Sequence, residues 1–202
     1  MNSARDRAPT PYRGRVPLTF PDPPLTANGI VLRRHAESDV PWITDACADP
    51  EMSHWIPLIP CPYTEADARS FVEETKASWD EGSKAPFVIA DSERGQGLGL
   101  ITLHLSATDP GLAGVGYWLC RAARGRGAAT AALRLVAGWA FATLGIERLH
   151  LTTHPDNYRS QAVAERAGFQ REGLLRLWAP TRDGRRDSVM FSLLAHEFDQ
   201  AS

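Results

Sequence analysis

Long apolar runs and closely spaced cysteines are both missing from this chain of 202 residues. No apolar stretch approaches the ~18 residues of a membrane-spanning helix, so we expect no membrane segment. The basic N-terminus lacks the apolar core of a secretory signal, which predicts a cytoplasmic protein. The three cysteines, Cys47, Cys61 and Cys120, cannot all pair and have no zinc-binding spacing. We therefore expect reduced thiols and no metal site.

A large excess of charge of either sign is lacking too. The formal net charge is −2, which argues against specific nucleic-acid binding, because that usually needs a clearly basic domain. The hydrophobic fraction of 43% is ordinary for a globular protein, and 202 residues suffice for one core with an arm. The composition thus predicts a single soluble domain.

The first 27 residues differ from the rest of the chain. They contain six prolines and four arginines with few large apolar side chains. Since proline breaks both helix and strand, residues 1–27 are predicted to form an irregular arm, followed by one domain over residues 28–202. The arm is either a disordered tail or a segment that packs on a neighbouring or anionic partner.

Hydrophobic periodicity predicts a mixed α/β (α+β) sheet with an antiparallel first half. Residues 49–63 contain prolines and are predicted to be a loop, and Thr64 with Asp67 forms a capping box for the helix that follows. The predicted strands are Ile30–Arg34, 86–91, 97–105, a run ending at Leu119, 148–153, 171–178 and 187–195, and the predicted helices are 38–48, 64–79, 128–144 and 160–167.

The most informative segment is R-A-A-R-G-R-G-A-A-T, from Arg121 to Thr130. Small residues let several backbone N–H groups point into one concavity where a helix begins, which suits a pyrophosphate. Three arginines add positive charge to this segment. It is neither a P-loop nor a dinucleotide fingerprint, because the required Gly-Lys and third glycine are missing. A plain strand-to-helix turn with solvated arginines is the alternative.

A second motif, N-x-x-S-x-x-V-x-E-R-x-G-F, runs from Asn157 to Phe169. Together with the R-G-R-G-A-A-T loop it resembles the GNAT superfamily of N-acetyltransferases. Tyr-Trp-Leu at residues 117–119, Glu-Gly at 172–173 and Arg-Asp at 186–187 resemble the branch that contains the ribosomal-protein N-terminal acetyltransferases RimJ and RimL. The resemblance covers about residues 28 to 198 and leaves the acceptor undetermined.

The resemblance implies a GNAT-like fold in which central strands 4 and 5 splay apart. Counted from Ile30, these are the strand ending at Leu119 and the strand at residues 148–153. The pantetheine of acetyl-CoA would lie in the gap, hydrogen-bonded to the strand backbone, as an added strand would be. The residues expected to bind the cofactor are Leu119, Cys120, Arg121, Arg124, Gly125, Arg126, Gly127, Ala128, Ala129, Thr130, Asn157 and Ser160.

Acetyl transfer needs a neutral amine and a proton for the departing thiolate. Ser160 is the leading candidate to hydrogen-bond the sulfur, because the tyrosine that many relatives use aligns with Ala164; an N-cap role for Ser160 is the alternative. Tyr158 is the second candidate. His104 is a candidate base, since no carboxylate stands at Val115, where some relatives have one. His54 or a base acting through ordered water are alternatives.

Four side chains are expected to wall the acceptor pocket: His54, Trp55, Tyr63 and Trp178. Ordinary packing is the alternative role for the aromatic ones. The chain is therefore expected to move an acetyl group from acetyl-CoA to a primary amine of a peptide N-terminus, in a ternary complex. A small-molecule or antibiotic acetyltransferase, or a non-catalytic acyl-CoA sensor, are alternatives. Cys120 as an acyl-accepting nucleophile lacks an identifiable base, and a homodimer stays open.

Overall fold

One eight-stranded mixed sheet organises the chain. The computed structural model describes residues 17–56 and 58–198. The strands lie in the order β1-β2-β3-β4-β5-β6-β8-β7, and their bounds are β1 Thr26–Ala27, β2 Ile30–Arg33, β3 Lys84–Asp91, β4 Gly97–Leu105, β5 Leu112–Leu119, β6 Arg148–Thr153, β7 Gln170–Thr181 and β8 Gly184–Leu194. Neighbouring strands are antiparallel except β5 and β6, which are parallel. The predicted mixed sheet is confirmed.

Within the described ranges, five α-helices connect the strands: α1 Val40–Cys47, α2 Pro50–Trp55, α3 Glu65–Asp80, α4 Ala128–Thr143 and α5 Tyr158–Arg166. The predicted capping box of α3 is present, because the Thr64 hydroxyl accepts from the Asp67 N–H and the Asp67 carboxylate accepts from the Thr64 N–H. Helix α4 begins after Gly127, whose φ of 81° is in the left-handed region. None of the helices in the described ranges is long and apolar enough to cross a membrane.

Strands β5 and β6 separate after a short parallel contact. They pair only from Leu112 to Gly114 and from Arg148 to His150. Beyond that point β5 remains paired with β4, and β6 remains paired with β8. The expected splay of the fourth and fifth strands is therefore confirmed, and one backbone edge of residues 115–119 faces the gap.

Apolar side chains cover both faces of the sheet. On β4, Ile101 and Leu103 belong to the main core with α4, whereas Leu100 packs with Trp42 and Phe71 on the opposite side. The alternation of β4 thus supplies two cores from one strand. In the main core an aromatic group joins α3, β3 and α4, and its members are Trp79, Phe87 and Trp139.

The loop predicted at residues 49–63 is wrong in its first half, where the short helix α2 forms. Asp49 caps this helix, accepting a hydrogen bond from the Glu51 N–H at 2.9 Å, and Pro50 occupies the first turn. Proline is favoured at a first helical position, because the N–H that it lacks has no intrahelical partner there. A proline in this segment therefore starts a helix and does not break one.

Residues 17–27 pack on the domain, although they were predicted to belong to the arm. The Leu18 N–H donates to the Trp79 carbonyl at 2.9 Å. The Phe20 ring lies 5.3 Å from the Trp79 ring and 5.5 Å from the Phe87 ring, and β1 pairs with β2. The ordered domain therefore begins before residue 28. Residues 1–16 lie outside the described ranges, and the arm remains a prediction for them.

Candidate functional site

A cleft of about 1190 Å³ opens where β5 and β6 separate. Its floor is formed by β4, β5 and β6, and its walls by the start of α4, by α5 and by α2. Sequence-predicted residues that line it are Trp55, His104, Leu119, Arg124, Gly125, Gly127, Ala128, Ala129, Thr130, Asn157, Tyr158 and Ser160. The splay therefore brings most of the predicted cofactor loop and all three catalytic candidates to one cavity.

The loop before α4 forms the concave end of the cleft. Gly125 and Gly127 have φ angles of 77° and 81°, and a Cβ built on either would meet nothing within 4 Å. This left-handed backbone leads directly into a helix of 16 residues, whose first-turn N–H groups lack intrahelical partners. Positive φ and open space together make a cradle for an anion.

Two arginines of this loop are paired with α2. Arg124 Nη1 lies 2.8 Å from Glu51 Oε2, and its Nε donates to the Leu119 carbonyl at 3.2 Å. Arg121 lies 3.1 Å from the same Glu51 oxygen and 3.4 Å from Asp49. The hydrogen bond from Arg124 lowers the pKa of Glu51. Arg126 is exposed and, like Cys120, does not line the cleft.

The other end of α2 is held by β8. Arg186 donates from Nη1 to the His54 carbonyl at 3.0 Å and from Nη2 to the Trp55 carbonyl at 2.6 Å. A cation at the last carbonyls of a helix is a favourable arrangement. Helix α2 thus spans the mouth of the cleft, from the loop after β5 to β8. Neither Glu51 nor Arg186 was among the predicted site residues.

Tyr117 and Ser160 share hydrogen bonds inside the cleft. The Tyr117 hydroxyl donates to the Ser160 carbonyl at 3.1 Å and lies 3.0 Å from the Ser160 hydroxyl. A carbonyl can only accept, so the Ser160 hydroxyl is left to donate to the phenol oxygen. Burial raises the pKa of Tyr117 to about 12, and the phenol is neutral. Tyr117 was missed, although the alternation of Val115, Tyr117 and Leu119 places it on one face.

Asn157 caps α5, a role considered for Ser160. The Asn157 Oδ1 atom accepts from the Ser160 N–H at 3.1 Å, and the alternative of Ser160 as N-cap is therefore wrong. This frees the Ser160 side chain for the cleft. The Tyr158 side chain borders the cleft but is 71% exposed, so it is poorly placed to act in a protected site.

His104 stands at one end of a row of residues across the sheet. It is opposite Gly114 on β5, which is opposite His150 on β6. A Cβ at Gly114 would come within 3.2 Å of the His150 Nε2 atom, so the glycine leaves the space into which His150 leans. Loss of solvation is the main cause that lowers the pKa of both histidines, although the His104 side chain remains exposed at the edge of the cleft. His104 is therefore neutral near pH 7 and able to accept a proton.

The four residues predicted to wall the acceptor pocket lie in different places. Trp55 lines the cleft, and the His54 ring lies 4.4 Å from the Trp55 ring without lining the cleft itself. Tyr63 is wrong as a wall residue, because it packs in the small core under α1 and hydrogen-bonds Cys47. Trp178 is also wrong, because it is 50% exposed on β7 and outside the cleft.

The thiols of Cys47 and Cys120 are not activated. Burial is the main cause that raises the pKa of Cys120 and raises that of Cys47 to about 12, which disfavours the nucleophilic thiolate. Across residues 17–56 and 58–198, no group of three or more side chains is arranged to hold a metal ion.

Comparisons with known proteins agree on one family. The family model described as an acetyltransferase (GNAT) domain matches residues 30–170. The "Uncharacterized N-acetyltransferase p20" of Bacillus licheniformis is 27% identical over 175 residues, which cover 86% of this chain and 97% of that protein.

Solved structures share the fold. RimJ of Mycobacterium smegmatis, in complex with CoA-disulfide, superposes with a TM-score of 0.77 at 25% identity and covers 85% of each chain. RimL, described as a ribosomal L7/L12 alpha-N-protein acetyltransferase in complex with coenzyme A, superposes with a TM-score of 0.72. At 22% identity, over 85% of this chain and 96% of that one, RimL supports the fold alone.

Proposed function

The chain belongs to the GNAT acetyltransferase family, and on that premise we propose that it transfers an acetyl group from acetyl-CoA directly to a primary amine in a ternary complex. The observation that carries the proposal is the cleft between β5 and β6, which ends in the left-handed glycine loop before α4. A family fold alone would not carry an activity, because function depends on the site.

The cofactor fits this cleft in two parts. The open backbone edge of residues 115–119 offers hydrogen bonds to the pantetheine amides, as an edge strand does to an added strand. The diphosphate would rest on the N–H groups at Gly125, Gly127 and the first turn of α4, with Arg124 nearby. Asn157 and Ser160 at the start of α5 would flank the thioester.

The chemistry follows from the hydroxyl groups and the histidine. The neutral amine nitrogen attacks the thioester carbonyl, the C–S bond breaks, and the amine proton leaves to a base. His104 is the proposed base, directly or through water, because its pKa is lowered by loss of solvation. For the thiolate, the Ser160 hydroxyl would turn from the Tyr117 oxygen to donate to the sulfur, and the Tyr117 hydroxyl, 3.0 Å from it, would turn from the Ser160 carbonyl to donate to the Ser160 oxygen. Both substrates are held together, so no covalent enzyme intermediate is needed.

A peptide N-terminus is the proposed acceptor. The resemblance of the sequence motifs to the RimJ and RimL branch of ribosomal-protein N-terminal acetyltransferases supports it, as does the 25% identity to RimJ of Mycobacterium smegmatis. The cleft, open beneath α2 and bordered by Trp55, suits an extended segment. A small-molecule amine acetyltransferase is the second candidate.

Thiol release tests the activity. Acetyl-CoA is mixed with a panel of N-terminal peptides, small amines and aminoglycosides, and free coenzyme A is measured. We expect thiol release that depends on a peptide amine, with acetylated peptide seen by mass spectrometry. Tight acetyl-CoA binding without transfer to any amine would favour an acyl-CoA sensor instead.

A pair of variants at Thr130 tests the cofactor loop. Thr130 lines the cleft in the first turn of α4, where a carboxylate favours the helix but repels a phosphate. Thr130→Glu should weaken acetyl-CoA binding by at least about tenfold, whereas Thr130→Gln, of similar size, should change it little. Calorimetry showing equal affinity for the two variants would exclude this placement of the diphosphate.

A further inference from the structure

Charged side chains along the cleft are unevenly balanced. The lining contains the guanidinium groups of Arg124, Arg159, Arg166 and Arg186 and, within the described residues, one carboxylate, that of Glu51. Glu51 is already engaged, because its Oε2 atom pairs with Arg124 at 2.8 Å and with Arg121 at 3.1 Å. No described carboxylate is therefore left in the cleft to receive a positively charged acceptor.

Arg186 has no negatively charged partner among the described residues. Its two recorded hydrogen bonds go to neutral carbonyls at the end of α2, and its Nε atom is buried without a partner. Loss of solvation lowers the pKa of Arg186, and no described carboxylate forms an ion pair with it. The adjacent Asp187 is turned away and accepts from the Leu177 N–H at 2.7 Å.

Arg186 also lies apart from the arginines that suit the phosphates of a cofactor. Arg121, Arg124 and Arg159 surround one small depression beside the loop before α4. Arg186 is on β8, on the other arm of the splay, where the neighbouring lining residues are Trp55 and His154. A cofactor seated on the loop would thus leave Arg186 to the acceptor end of the cleft.

The surrounding histidine adds no positive charge near neutral pH. Burial, followed by the charge of Arg186, lowers the pKa of His154. The Asp156 carboxylate, 3.8 Å from the His154 Nδ1 atom, is 72% exposed and does not line the cleft. Among its lining side chains, the acceptor end therefore combines the Arg186 cation with a neutral imidazole and an indole ring. Such an environment attracts an anionic group and repels a second cation.

We infer that the acceptor carries a carboxylate close to its reactive amine, and that Arg186 selects for this carboxylate. This rests on the proposed function, since it names the substrate class of the same site. Two sources supply the chemistry: an acidic side chain in the first residues of a peptide N-terminus, or the carboxylate of a free α-amino acid. Polycationic amines such as aminoglycosides are disfavoured, because nothing described in the cleft balances their charge.

The test compares kcat/KM for matched acceptors. C-terminally amidated Ser-Asp-Asp and Ser-Asn-Asn peptides are nearly isosteric and differ in charge, and Ser-Lys-Lys carries positive charge at the same positions on longer side chains. Serine against serinamide tests the free amino acid. We expect the acidic peptide to exceed the neutral one by about tenfold, the basic peptide to be slower still, and aminoglycosides to be poorest. If serine is preferred over serinamide by as much as the acidic peptide is preferred over the neutral one, the carboxylate belongs to a free amino acid.

Variants of Arg186 separate recognition from structure. Arg186→Gln should reduce the ratio of acidic to neutral peptide to about one, whereas Arg186→Lys should retain most of it, because charge and not fold sets the ratio. Arg185→Gln is the matched control, since its guanidinium contacts the Leu177 and Trp178 carbonyls outside the cleft and should leave the ratio unchanged. Melting temperatures establish that each variant is folded.

The outcomes distinguish this inference from the proposed function. Equal rates for acidic and neutral peptides, a preference for the basic peptide, or an unchanged ratio in Arg186→Gln would overturn the role of Arg186 while leaving acetyl transfer intact. Absence of transfer to every acceptor would instead overturn the proposed function. In that case calorimetry measures the affinity of the acidic and the neutral peptide for the protein with bound coenzyme A. Tighter binding of the acidic peptide supports the inference, and equal affinities refute it.

Discussion

At the scale of single residues, the hydroxyl groups of Tyr117 and Ser160 form the polar centre of the cleft. The family resemblance implies that the catalytic tyrosine of many relatives corresponds to Ala164. Ala164 is fully buried here and its side chain has no proton to donate. Tyr117 brings a phenol to the same cavity from β5 instead, and its raised pKa keeps it protonated. Because Asn157 caps α5, the Ser160 hydroxyl is not needed to start the helix. The pair can therefore serve the leaving thiolate.

Ser160→Ala should lower kcat by about 10²-fold and leave acetyl-CoA affinity nearly intact. A loss of this size is at the low end for general acid assistance, because a thiolate is a fairly stable leaving group. Tyr117→Phe should give a smaller loss, since it removes only the group that orients Ser160. Both variants should keep the wild-type melting temperature, whereas Asn157→Ala should lose about 1 kcal/mol of stability as a removed cap. Full turnover by a stable Ser160→Ala protein would exclude Ser160 from the proton transfer.

His35 gives the fold a dependence on pH. Burial is the main cause that lowers its pKa to about 4, and neither ring nitrogen has a hydrogen-bond partner. The unfolded chain binds a proton near pH 6.5, whereas the folded protein binds it only near pH 4. The neutral His35 ring therefore makes its full contribution to the unfolding free energy above pH 6.5. This contribution declines as the pH falls toward 4.

We expect His35 to account for roughly 3 kcal/mol of the loss of unfolding free energy across this window, from about 1.4 kcal/mol per pKa unit. His35→Gln, which does not titrate, should flatten the curve of unfolding free energy against pH between 6.5 and 4. Denaturant titrations at several pH values measure this. A variant curve parallel to that of the wild type would assign the acid sensitivity to other groups.

At the scale of elements, α2 shows which parts of a site are encoded locally. The capping box of α3 lies within four residues and was predicted correctly. The start of α2 has equally local signals, Asp49 and Pro50, but the prolines nearby obscured them. Its docking had no local signal at all, because Glu51 and Arg124 are 73 residues apart and Arg186 and Trp55 are 131 apart.

Glu51 should compete with the cofactor diphosphate for Arg121 and Arg124. Glu51→Gln should tighten acetyl-CoA binding several-fold, as expected for a partly exposed ion pair worth up to about 1 kcal/mol. The gain should shrink at high salt. Glu65→Gln is a suitable control, since Glu65 pairs with Arg69 on the exposed surface of α3. Weaker binding by Glu51→Gln would show that Glu51 instead holds Arg124 in its binding position.

At the scale of the whole molecule, periodicity and turn chemistry predict the sheet and four of the five α-helices, because these depend on neighbouring residues. The splay of β5 from β6 came only from the family resemblance. Packing between distant segments was not predictable from local pattern. Local pattern therefore put Tyr63 and Trp178 in the acceptor wall and gave no sign that residues 17–27 pack on the domain. Tyr63 is an aromatic residue in a proline-rich segment, yet its surroundings are set by α1 and α3.

The packing of residues 17–27 gives a prediction about the stability of the entire domain. Phe20 lies between Trp79, Phe87 and the guanidinium of Arg34, which is 5.1 Å from the Phe20 ring. Phe20→Ala removes these contacts from a partly buried site, so it should lower the unfolding free energy by about 2 kcal/mol, below the range for a fully buried ring. For a domain of this size the melting temperature should fall by about 4–8 °C.

Because Phe20 does not line the cleft, kcat and acetyl-CoA affinity should be unchanged below the transition. Leu58→Ala, at a side chain that is 62% exposed, is the control and should melt with the wild type. A Phe20→Ala protein with unaltered melting would restore the boundary at residue 28 and make residues 17–27 dispensable for the fold.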